Sequence, residues 1–416
     1  MSSLSNKVVI TGLGALTPVG NDSETTWSNL LAGKSGISRI TAFDPSGLPT
    51  QIAGEVKDFD ASKVMNSKRL RRSARFTHLA IAAAREAVAD SELDLDIEDR
   101  SRIGVVINCA VAGFDTVEES TRRLVDPSRG GIHPHFVSSS LTNMPACEVS
   151  IDLGLHGPVT ASALACASGL YAILEARRLI LSGEADVIIC GGTEAAITPV
   201  IFAGLSAMGV LSRRNDDPAR ASRPFDADRD GFVFGEGSVI AVLESYDHAR
   251  NRGKVPIAAV AGGALTADAF HVSAPDPNGE MARAAISLAL QRSEIPIQDV
   301  DYICAHGTST KANDRLESAA IRQVFGNQAN RIAVSSPKSM VGHIIGAAGA
   351  LSGMVCALSI RDQIVPPTIN LEYPDPECDL DYVPHLARKM PVGVAVANAF
   401  GFGGQNCVVT FAKLTD

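Results

Sequence analysis

Aromatic residues are scarce in this sequence: Phe, Trp and Tyr together make up 5% of its 416 residues, and tryptophan occurs once. Proteins that bind nucleic acids by stacking bases on aromatic rings need more of them. An excess of positive charge is also missing, because 37 basic and 46 acidic residues give a net charge of −9. Since nucleic-acid affinity comes largely from basic side chains that neutralise phosphates, we expect no nucleic-acid partner.

Segments that could enter a membrane are missing as well. Met1–Lys7 is polar and leads directly into a strand-like run, without the apolar region of a signal peptide. The uncharged stretch Gly157–Leu174 is rich in Ala, Ser, Cys and Gly, whereas a membrane span is rich in Leu and Ile. We therefore expect a cytoplasmic protein that makes no membrane contact.

The eight cysteines show none of the spacings that bind metal ions or mark a disulfide framework. They are spread along the whole chain, without a CxxC pair or a Cys/His cluster. We therefore expect neither disulfide bonds nor a metal site. Most of these side chains should be small buried apolar groups.

Short β-branched runs alternate with amphipathic segments, and 45% hydrophobic residues supply material for a core. The strand-like runs are Lys7–Thr11, Gly104–Asn108, Ala185–Cys190, Val239–Leu243, Val300–Cys304, Ile332–Val334 and Val394–Ala397. The helical segments are Thr77–Ala89, Tyr171–Ser182 and Glu280–Gln291. Continuous apolar strands separated by helices predict an α/β protein with buried, largely parallel sheets and helices on both faces. The polar stretch Arg213–Asp230 is predicted to be a solvated loop.

A weak internal repeat accompanies this alternation. Pro158–Gly169 leads into the helix Tyr171–Ser182, and Ser335–Gly349 leads into the helix Ala350–Arg361. Each half thus presents a turn of small residues, a reactive side chain and then an Ala/Gly-rich helix. Two similar halves packed back to back would bring the turns together, although the periodicity alone does not establish a duplication.

Cys166 follows a β-like run, precedes an amphipathic helix and has only small residues beside it, from Ala161 to Leu170. Such a turn lets the backbone come close to a ligand. The free N–H groups and the positive end of the following helix would stabilise a thiolate. Taken alone, a cysteine of this kind is more often a buried structural residue.

Two histidines, a lysine and a glycine-rich turn stand in comparable loops. His306 follows the strand Val300–Cys304, and Lys338 precedes His343 by five residues at the mouth of an Ala/Gly-rich helix. The Phe400–Gly404 turn lacks the Lys-Ser/Thr of a phosphate loop, and its two aromatic rings suit a gate better. One cysteine, two histidines and a lysine in loops after strands indicate a site for nucleophilic catalysis by cysteine.

These four motifs, in this order and spacing, resemble the β-ketoacyl-acyl-carrier-protein synthases, the condensing enzymes of the thiolase superfamily. The resemblance extends over nearly the whole chain, from Val8–Gly14 through Ser222–Asp226 and Asp230–Val233 to the Phe400–Gly404 turn. It is closest to the synthase II type and to the ketosynthase subunits of type II polyketide synthases. Each motif is weak alone, but together they are highly specific.

The resemblance implies a thiolase-like five-layer αβαβα fold of two similar halves in one compact body. Residues 1–255 would form the half that carries the cysteine. Residues 256–416 would form the half that carries the histidines, the lysine and the phenylalanine gate. An acyl carrier protein is the implied partner, and no cofactor is implied beyond the phosphopantetheine that carries the substrates.

By this resemblance, Cys166 takes an acyl chain from the phosphopantetheine thiol of the carrier protein. His306 and His343 flank a malonyl thioester and stabilise the enolate that its decarboxylation generates. The enolate attacks the acyl-Cys166 thioester and yields a β-ketoacyl chain two carbons longer. The backbone N–H groups of Cys166 and Phe402 would bind the oxyanion, and Phe400 belongs to the same gate.

Lys338 would position His343 and tune protonation in the site. Ser352 stands where family members commonly have Glu, so the carboxylate of a Lys–Glu ion pair is missing. The hydroxyls that hold the pantetheine amides would be those of Thr308, Thr310 and Ser273. The acyl tunnel would be lined by Val111, Phe136 and Leu205. Because synthase II proteins often have Phe at the position of Leu205, we expect this pocket to admit a different or longer chain.

Five basic residues lie within eight positions, at Lys68, Arg69, Arg71, Arg72 and Arg75. They form either a solvated helical face or a docking surface. By the resemblance, the acidic carrier protein would dock on Lys68, Arg71 and Arg72, guided by a local field that salt screens.

Several alternatives stay open. A degradative thiolase needs a second cysteine near the C-terminal glycine turn, and here Cys407 lies three residues beyond it. A silent partner of the chain-length-factor type typically lacks the nucleophile, which this chain keeps. The sequence does not separate a fatty-acid synthase II, which would be a homodimer, from a polyketide ketosynthase, which would pair with a chain-length-factor paralogue.

Overall fold

The computed structural model describes residues 7–414. Within that range the strands are β1 (Val8–Leu16), β2 (Ile37–Arg39), β3 (Ile52–Gly54), β4 (Ile103–Asn108), β5 (Val159–Thr160), β6 (Val187–Glu194), β7 (Gly237–Ser245), β8 (Ala258–Ala267), β9 (Tyr302–Cys304), β10 (Ala333–Ser335), β11 (Ile364–Val365), β12 (Arg388–Lys389), β13 (Val394–Gly401) and β14 (Gln405–Ala412).

The helices are α1 (Ser23–Leu31), α2 (Ser67–Leu70), α3 (Arg75–Ser91), α4 (Phe114–Val125), α5 (Phe136–Ser140), α6 (Met144–Leu153), α7 (Ser168–Leu181), α8 (Pro199–Met208), α9 (Tyr246–Asn251), α10 (Glu280–Arg292), α11 (Lys311–Phe325), α12 (Lys338–Val341) and α13 (Ala348–Asp362). Every run predicted as a strand or helix overlaps an element of the expected type. The prediction that no signal peptide precedes β1 concerns residues 1–6, which lie outside the described residues.

Ten of these strands form one sheet in the order β10-β9-β13-β14-β8-β1-β7-β6-β4-β5. The same pairing occurs twice in it. β1 and β7, and then β7 and β6, are antiparallel, whereas β6, β4 and β5 are parallel. In the second half β8, β14 and β13 are antiparallel, and β13, β9 and β10 are parallel. The boundary between residues 255 and 256 expected from the resemblance stays a prediction.

The prediction of largely parallel sheets is wrong, because each half joins strands of both directions. β1, β6 and β7 are buried almost without interruption, as parallel strands between two helix layers usually are. Burial on both faces produces the same continuous apolar run whichever way the neighbouring strand points. The apolar pattern therefore reported burial and carried no information on strand direction.

Helices α7 and α13 pack against each other between the two halves of the sheet. α7 lies on β4 and β6, and α13 lies on β9 and β13. On the outer faces, α3 and α6 cover the first half, and α10 and α11 cover the second. The layers are therefore helix, sheet, helix, sheet and helix, and the largest apolar cluster surrounds the central helix pair.

The stretch Arg213–Asp230 is only partly the solvated loop that its polarity predicts. Residues 221–226 are buried, and so is Arg229, so that the side chains of Arg223 and Arg229 are both inside the protein. Arg223 pairs with Asp226 at 2.9 Å, and Arg229 pairs with Asp375 at 2.8 Å. Charged side chains can be buried when they are paired in this way. The number of polar residues in the stretch does not reveal such pairing, and so it predicted exposure.

The segment Ile345–Asp362 is long enough and apolar enough to cross a membrane, with a mean hydropathy of 1.2, but 89% of it is buried inside the protein. It includes the central helix α13, in which small residues such as Ala, Gly and Ser are frequent. Its apolar composition is accounted for by its place between the two halves of the sheet.

Small residues let α7 and α13 approach closely. A Cβ atom added to Gly169 would lie 2.7 Å from the carbonyl oxygen of Gly346, and one added to Gly349 would lie 2.6 Å from the amide nitrogen of Leu170. Neither distance is tolerated by a methyl group, so both helices depend on glycine at these positions.

We expect Gly169→Ala to lower the free energy of unfolding by about 1–3 kcal/mol, because the methyl group must push backbone apart in a closely packed layer. Gly204→Ala is the matched control, since that helical glycine has open space around its Cα. Gly204→Ala should leave the free energy of unfolding unchanged or raise it by up to about 1 kcal/mol. Urea unfolding of both variants measures the difference, and equal values for the two would contradict the close approach.

Candidate active site

One cavity of about 870 Å³ gathers most of the site residues predicted from the sequence. Those that line it are Cys166, His306, His343, Phe400, Phe402, Thr308, Thr310, Ser273, Val111 and Leu205. An apolar part of its wall includes Ile201, Met208 and Val210 beside Leu205. A large apolar pocket with a few converging polar groups is the usual form of a small-molecule site.

Cys166 lies in a single 3₁₀ turn, Ala165–Ala167, directly before α7. Ala165 has a φ of 46°, a left-handed conformation that costs free energy for any residue except glycine. The Ser168 hydroxyl holds this turn, because it accepts from the amide of Leu164 at 2.9 Å and donates to the carbonyl of Ala165 at 2.7 Å. The cysteine is thereby presented at the start of the central helix.

The two histidines reach Cys166 from the other half of the molecule. One donor atom from each of Cys166, His306 and His343 lies within 4.8 Å of the others. The two imidazole rings are 5.5 Å apart, centre to centre, and nearly perpendicular at 82°. The structure thus brings together the three side chains that the sequence predicted would meet.

The ring of His343 is oriented by the backbone. Its Nδ1 accepts a hydrogen bond from the amide of Ile345 at 3.2 Å, so in the neutral ring Nε2 carries the proton. Nε2 of His343 and Nδ1 of His306 are buried and have no hydrogen-bond partner within residues 7–414. Buried nitrogens without a partner are available to a ligand.

Burial keeps the three groups uncharged. It lowers the pKa of His306 well below its usual value, and the charge of Lys338 and the neighbouring His343 lower it further. Burial and Lys338 lower the pKa of His343 in the same way. Burial raises the pKa of Cys166 to about 11, although Lys338 and the N–H groups of Phe402 and Cys166 oppose it. Desolvation therefore outweighs these favourable contacts and favours the thiol over the thiolate expected from the helix N-terminus.

Lys338 is buried behind the cavity on the short helix α12 and does not line it. Burial lowers its pKa, while electrostatic interaction with Cys304 and Glu317 opposes that shift. Ser352, at the position of the missing Glu, donates its hydroxyl to the carbonyl of Ala348 at 3.2 Å. The helix that carries Ser352 thus supplies no carboxylate to Lys338.

Two carboxylates that the sequence reading missed hold the loop of His306. Glu317 accepts the amides of His306 and Gly307, both at 2.8 Å. Asp314 accepts the amide of Thr308 at 3.0 Å. Both project from α11 three residues apart, and the i, i+3 spacing behind the His306 motif was the signal that could have revealed them.

Arg229, in the stretch Arg213–Asp230, supports the same loop from the other side. It is fully buried and lies 3.5 Å from Asp314, and its Nε donates to the carbonyl of Thr310 at 3.1 Å. The hydroxyls of Thr308 and Thr310 are 2.9 Å apart at the cavity.

Phe400 and Phe402 lie at the tip of the hairpin formed by β13 and β14. The turn needs glycine, because φ is 88° at Gly403 and 76° at Gly404. Phe400 is buried with its ring 5.7 Å from that of His306, whereas Phe402 is 39% exposed at the cavity. One ring therefore contacts the imidazole and the other faces solvent, as a gate requires.

Phe136 is the one predicted tunnel residue that this chain does not place on the cavity. It begins α5, which packs against α4 and α6, whereas the cavity wall is built by α8 and the loops around Cys166. Phe136 therefore does not line the cavity of a single chain, and its place in the acyl tunnel stays a prediction.

The five clustered basic residues separate into two groups. Arg69 pairs with Glu148 and Asp152, and Arg75 pairs with Glu236 at 2.7 Å. The remaining three are Lys68 on α2 and Arg71 and Arg72 just after it. Their side chains are exposed, and they form no ion pair within residues 7–414.

Cys407, which lies three residues beyond the glycine turn near which a degradative thiolase needs its second cysteine, is buried in β14 and does not line the cavity. Cys166, His306 and His343 could also bind a metal ion by their donor atoms. The charge of Lys338 acts on all three groups, however, and a second cation beside a buried ammonium is electrostatically unfavourable.

We expect the rings of His306 and His343 to stay neutral at about pH 6, because their pKa values lie below the usual 6.5. His248 is the internal control, since Glu244 and then Glu98 raise its pKa and keep it protonated at the same pH. Ring ¹⁵N shifts measured by NMR between pH 5.5 and pH 8 distinguish the two classes. Titration of all three histidines together near 6.5 would contradict the desolvated site.

Two family descriptions match most of the chain: "Beta-ketoacyl synthase, N-terminal domain" over residues 5–249 and "Beta-ketoacyl synthase, C-terminal domain" over residues 257–372. A relative from Synechocystis sp. named 3-oxoacyl-[acyl-carrier-protein] synthase 2 is 46% identical over 414 residues, which are 99% of this chain and 100% of that protein.

Solved structures give the same result for the fold. A type II polyketide synthase ketosynthase, solved in complex with its acyl-carrier protein, is 35% identical with a TM-score of 0.91 and covers 98% of this chain and 99% of its own. The ishigamide ketosynthase/chain length factor is 34% identical with a TM-score of 0.92, covering 98% and 99%. The predicted thiolase-like α/β fold of two similar halves is therefore confirmed, and the chain belongs to the β-ketoacyl synthase family of acyltransferases that form C–C bonds.

Proposed function

We propose that the protein is a β-ketoacyl-acyl-carrier-protein synthase that extends an acyl chain by two carbons in fatty-acid synthesis. The observation that carries this proposal is the meeting of Cys166, His306 and His343 within 4.8 Å of one another. They meet in a largely apolar cavity of about 870 Å³, which has room for an acyl chain. The relative named 3-oxoacyl-[acyl-carrier-protein] synthase 2 supports the same activity.

In the first half-reaction, Cys166 takes the acyl group from the carrier thioester. Sγ attacks the carbonyl carbon, and its proton leaves through a neighbouring neutral imidazole to the departing pantetheine thiolate. The N–H groups of Phe402 and Cys166, which already act on the sulfur, bind the oxyanion of the tetrahedral intermediate. Because the resting sulfur is a thiol, attack requires the substrate and the imidazole to be present together.

In the second half-reaction, a malonyl thioester binds with its carbonyl oxygen at His306 and His343. The bond to its carboxylate breaks, CO₂ leaves, and the electron pair becomes the enolate. Preorganised donors such as Nε2–H of His343 are worth about 3–4 kcal/mol each in a site without water. The enolate carbon attacks the acyl-Cys166 carbonyl, and the sulfur leaves as a thiolate that regains a proton.

Lys338 acts on this chemistry without lining the cavity. Burial is the main cause of the low pKa values of His306 and His343, and the charge of Lys338 lowers them further, so that each ring serves as an N–H donor rather than an acid. Its charge also opposes the rise in the Cys166 pKa. We assign it an electrostatic and positioning role.

The substrates bring their own carrier group, so we assign no cofactor. The hydroxyls of Thr308, Thr310 and Ser273 at the cavity can hydrogen-bond the pantetheine amides. The acyl chain then extends along Val111 and Leu205, where Leu leaves more room than Phe would.

We further propose an acyl carrier protein as partner, docked on Lys68, Arg71 and Arg72. These three residues are exposed, whereas Arg69 and Arg75 of the same cluster are occupied by ion pairs. The ketosynthase solved with its acyl-carrier protein supports this partner. An acidic carrier would be attracted by three unpaired positive charges placed close together on a chain whose net charge is −9.

A dimer fits the open edge of the sheet. β5 ends the strand order, and Val159 on it is 37% exposed. Apolar side chains nearby in the sequence are exposed as well, among them Val137 and Ile151. Exposed apolar edges of this kind are normally covered by another subunit. The cytoplasmic location expected from the sequence stays a prediction.

The second candidate function is that of the ketosynthase subunit of a type II polyketide synthase, which the high TM-scores to two such proteins favour. The two functions differ in the covering subunit: a second copy of this chain in the first, a chain-length-factor paralogue in the second. A homodimer of the purified protein that condenses simple acyl chains supports the first.

Two variants separate the half-reactions. We expect Cys166→Ala to form no acyl-enzyme, whereas His343→Ala should still be acylated at Cys166 but decarboxylate malonyl carrier protein on the order of 10²–10³-fold more slowly, as when one preorganised donor is lost. Mass spectrometry follows the first step and CO₂ release the second. Cys147→Ala, at a half-buried cysteine away from the cavity, is the matched control. Acylation of Cys166→Ala at the wild-type level would refute the proposal.

Reversing the charge at Arg71 and Arg72 to Glu should raise the KM for the acyl carrier protein, because the steering field is removed, and should leave acylation by a small free thioester unchanged. The rise should shrink at high salt, which screens both proteins. Lys389→Glu, at an exposed lysine on β12, serves as control. Equal losses with both substrates would show that these residues act on folding or on the cavity instead.

A further inference from the structure

Glu194, the last residue of β6, is a fully buried carboxylate that binds two distant segments of backbone. Its Oε2 accepts the amides of Ala110 at 2.9 Å and Gly346 at 3.3 Å. Its Oε1 accepts the amide of Ala112 at 3.2 Å, and the amide of Val111 is shared between both oxygens. One side chain thus joins the loop after β4 to the turn before α13.

Both segments have a strained backbone where the carboxylate holds them. φ is 61° at Ala112 and 41° at Ile345, and a β-branched residue such as isoleucine rarely adopts the left-handed region. The contact is also close, since a Cβ atom on Gly346 would lie 2.9 Å from Oε2 of Glu194 and 2.8 Å from the amide nitrogen of Ala110. Strain of this kind persists only where neighbouring contacts enforce it, and it is concentrated at functional sites.

Both segments also carry residues of the site. Ala110 and Val111 line the cavity, and so does Ile345. The amide of Ile345 is the donor that orients the ring of His343, and the next amide along the chain, that of Gly346, is bound by Glu194. Movement of the Gly346 amide would therefore move the Ile345 amide and turn the imidazole.

We propose that Glu194 is a positioning residue that fixes the Ile345-Gly346 turn against the Ala110–Ala112 loop. It thereby sets the orientation of the His343 ring and the distance between that ring and Val111 on the cavity wall. The inference rests on the proposed function, in which His343 donates to the thioester oxygen. The carboxylate does not line the cavity and takes no part in bond breaking.

The test compares Glu194→Gln with Glu194→Asp. Every contact of the two carboxylate oxygens is a backbone N–H, so the glutamine amide, although of equal size, would place a donor against donors. Aspartate keeps two accepting oxygens but is one methylene shorter. Glu86→Gln is the matched control. Glu86 lies on the outer helix α3, away from the cavity, and it likewise accepts hydrogen bonds from two backbone amides, those of Ala15 and Ser23.

We expect Glu194→Gln to reduce the kcat for decarboxylation of a malonyl thioester by about tenfold to a hundredfold, the loss that a displacement of about 1 Å causes. The fraction of Cys166 that becomes acylated should stay complete, which excludes a loss of folded protein. Glu194→Asp should retain a larger part of the rate, and Glu86→Gln should match wild type.

A wild-type kcat in Glu194→Gln would overturn the inference, because a side chain that only fills space is replaced without loss by glutamine. If Glu194→Gln does not fold, Glu194→Asp decides: reduced decarboxylation with complete acylation supports the inference, and an unchanged rate refutes it. A wild-type protein that neither acylates nor decarboxylates would instead refute the proposed function itself.

Discussion

Removal of water from one thiol and two imidazoles is the constraint on which the rest of the structure depends. Burial keeps the rings of His306 and His343 uncharged and Cys166 protonated, and it does so against the charge and the N–H groups that face the sulfur. In this state none of these three side chains carries a charge that would have to lose its water when an acyl chain binds. Neutral N–H donors in a site without water are also where a developing enolate gains the most stabilisation.

Such a dry site has a cost, because the loops that build it must bury their own amide groups. The structure meets that cost with carboxylates that accept backbone N–H groups rather than with side-chain ion pairs alone. Glu317 and Asp314 hold the loop of His306, and Glu194 holds the turn beyond His343. Loops satisfied in this way are rigid, and rigid loops keep the donors in place while the substrates change.

The sequence was sufficient for the side chains that react and insufficient for those that hold them. Cys166, His306 and His343 stand in short motifs whose order is specific, so their meeting could be predicted. A carboxylate such as Glu194 that binds backbone amides has no such motif and looks like any other acidic residue. Strand direction in the sheet and the burial of Arg229 were missed because they depend on pairing partners that are distant in the sequence.

The two halves show how one turn serves two purposes. Each central helix follows a 3₁₀ turn that starts with a left-handed residue, Ala165 in one half and Ile345 in the other. The next position is Cys166 in the first turn and Gly346 in the second. A side chain at Gly346 would collide with Glu194 and Ala110, so the second turn keeps only its amide, and the carboxylate binds it. The position that supplies the nucleophile in one half therefore supplies, in the other, the anchor against which a catalytic imidazole is oriented.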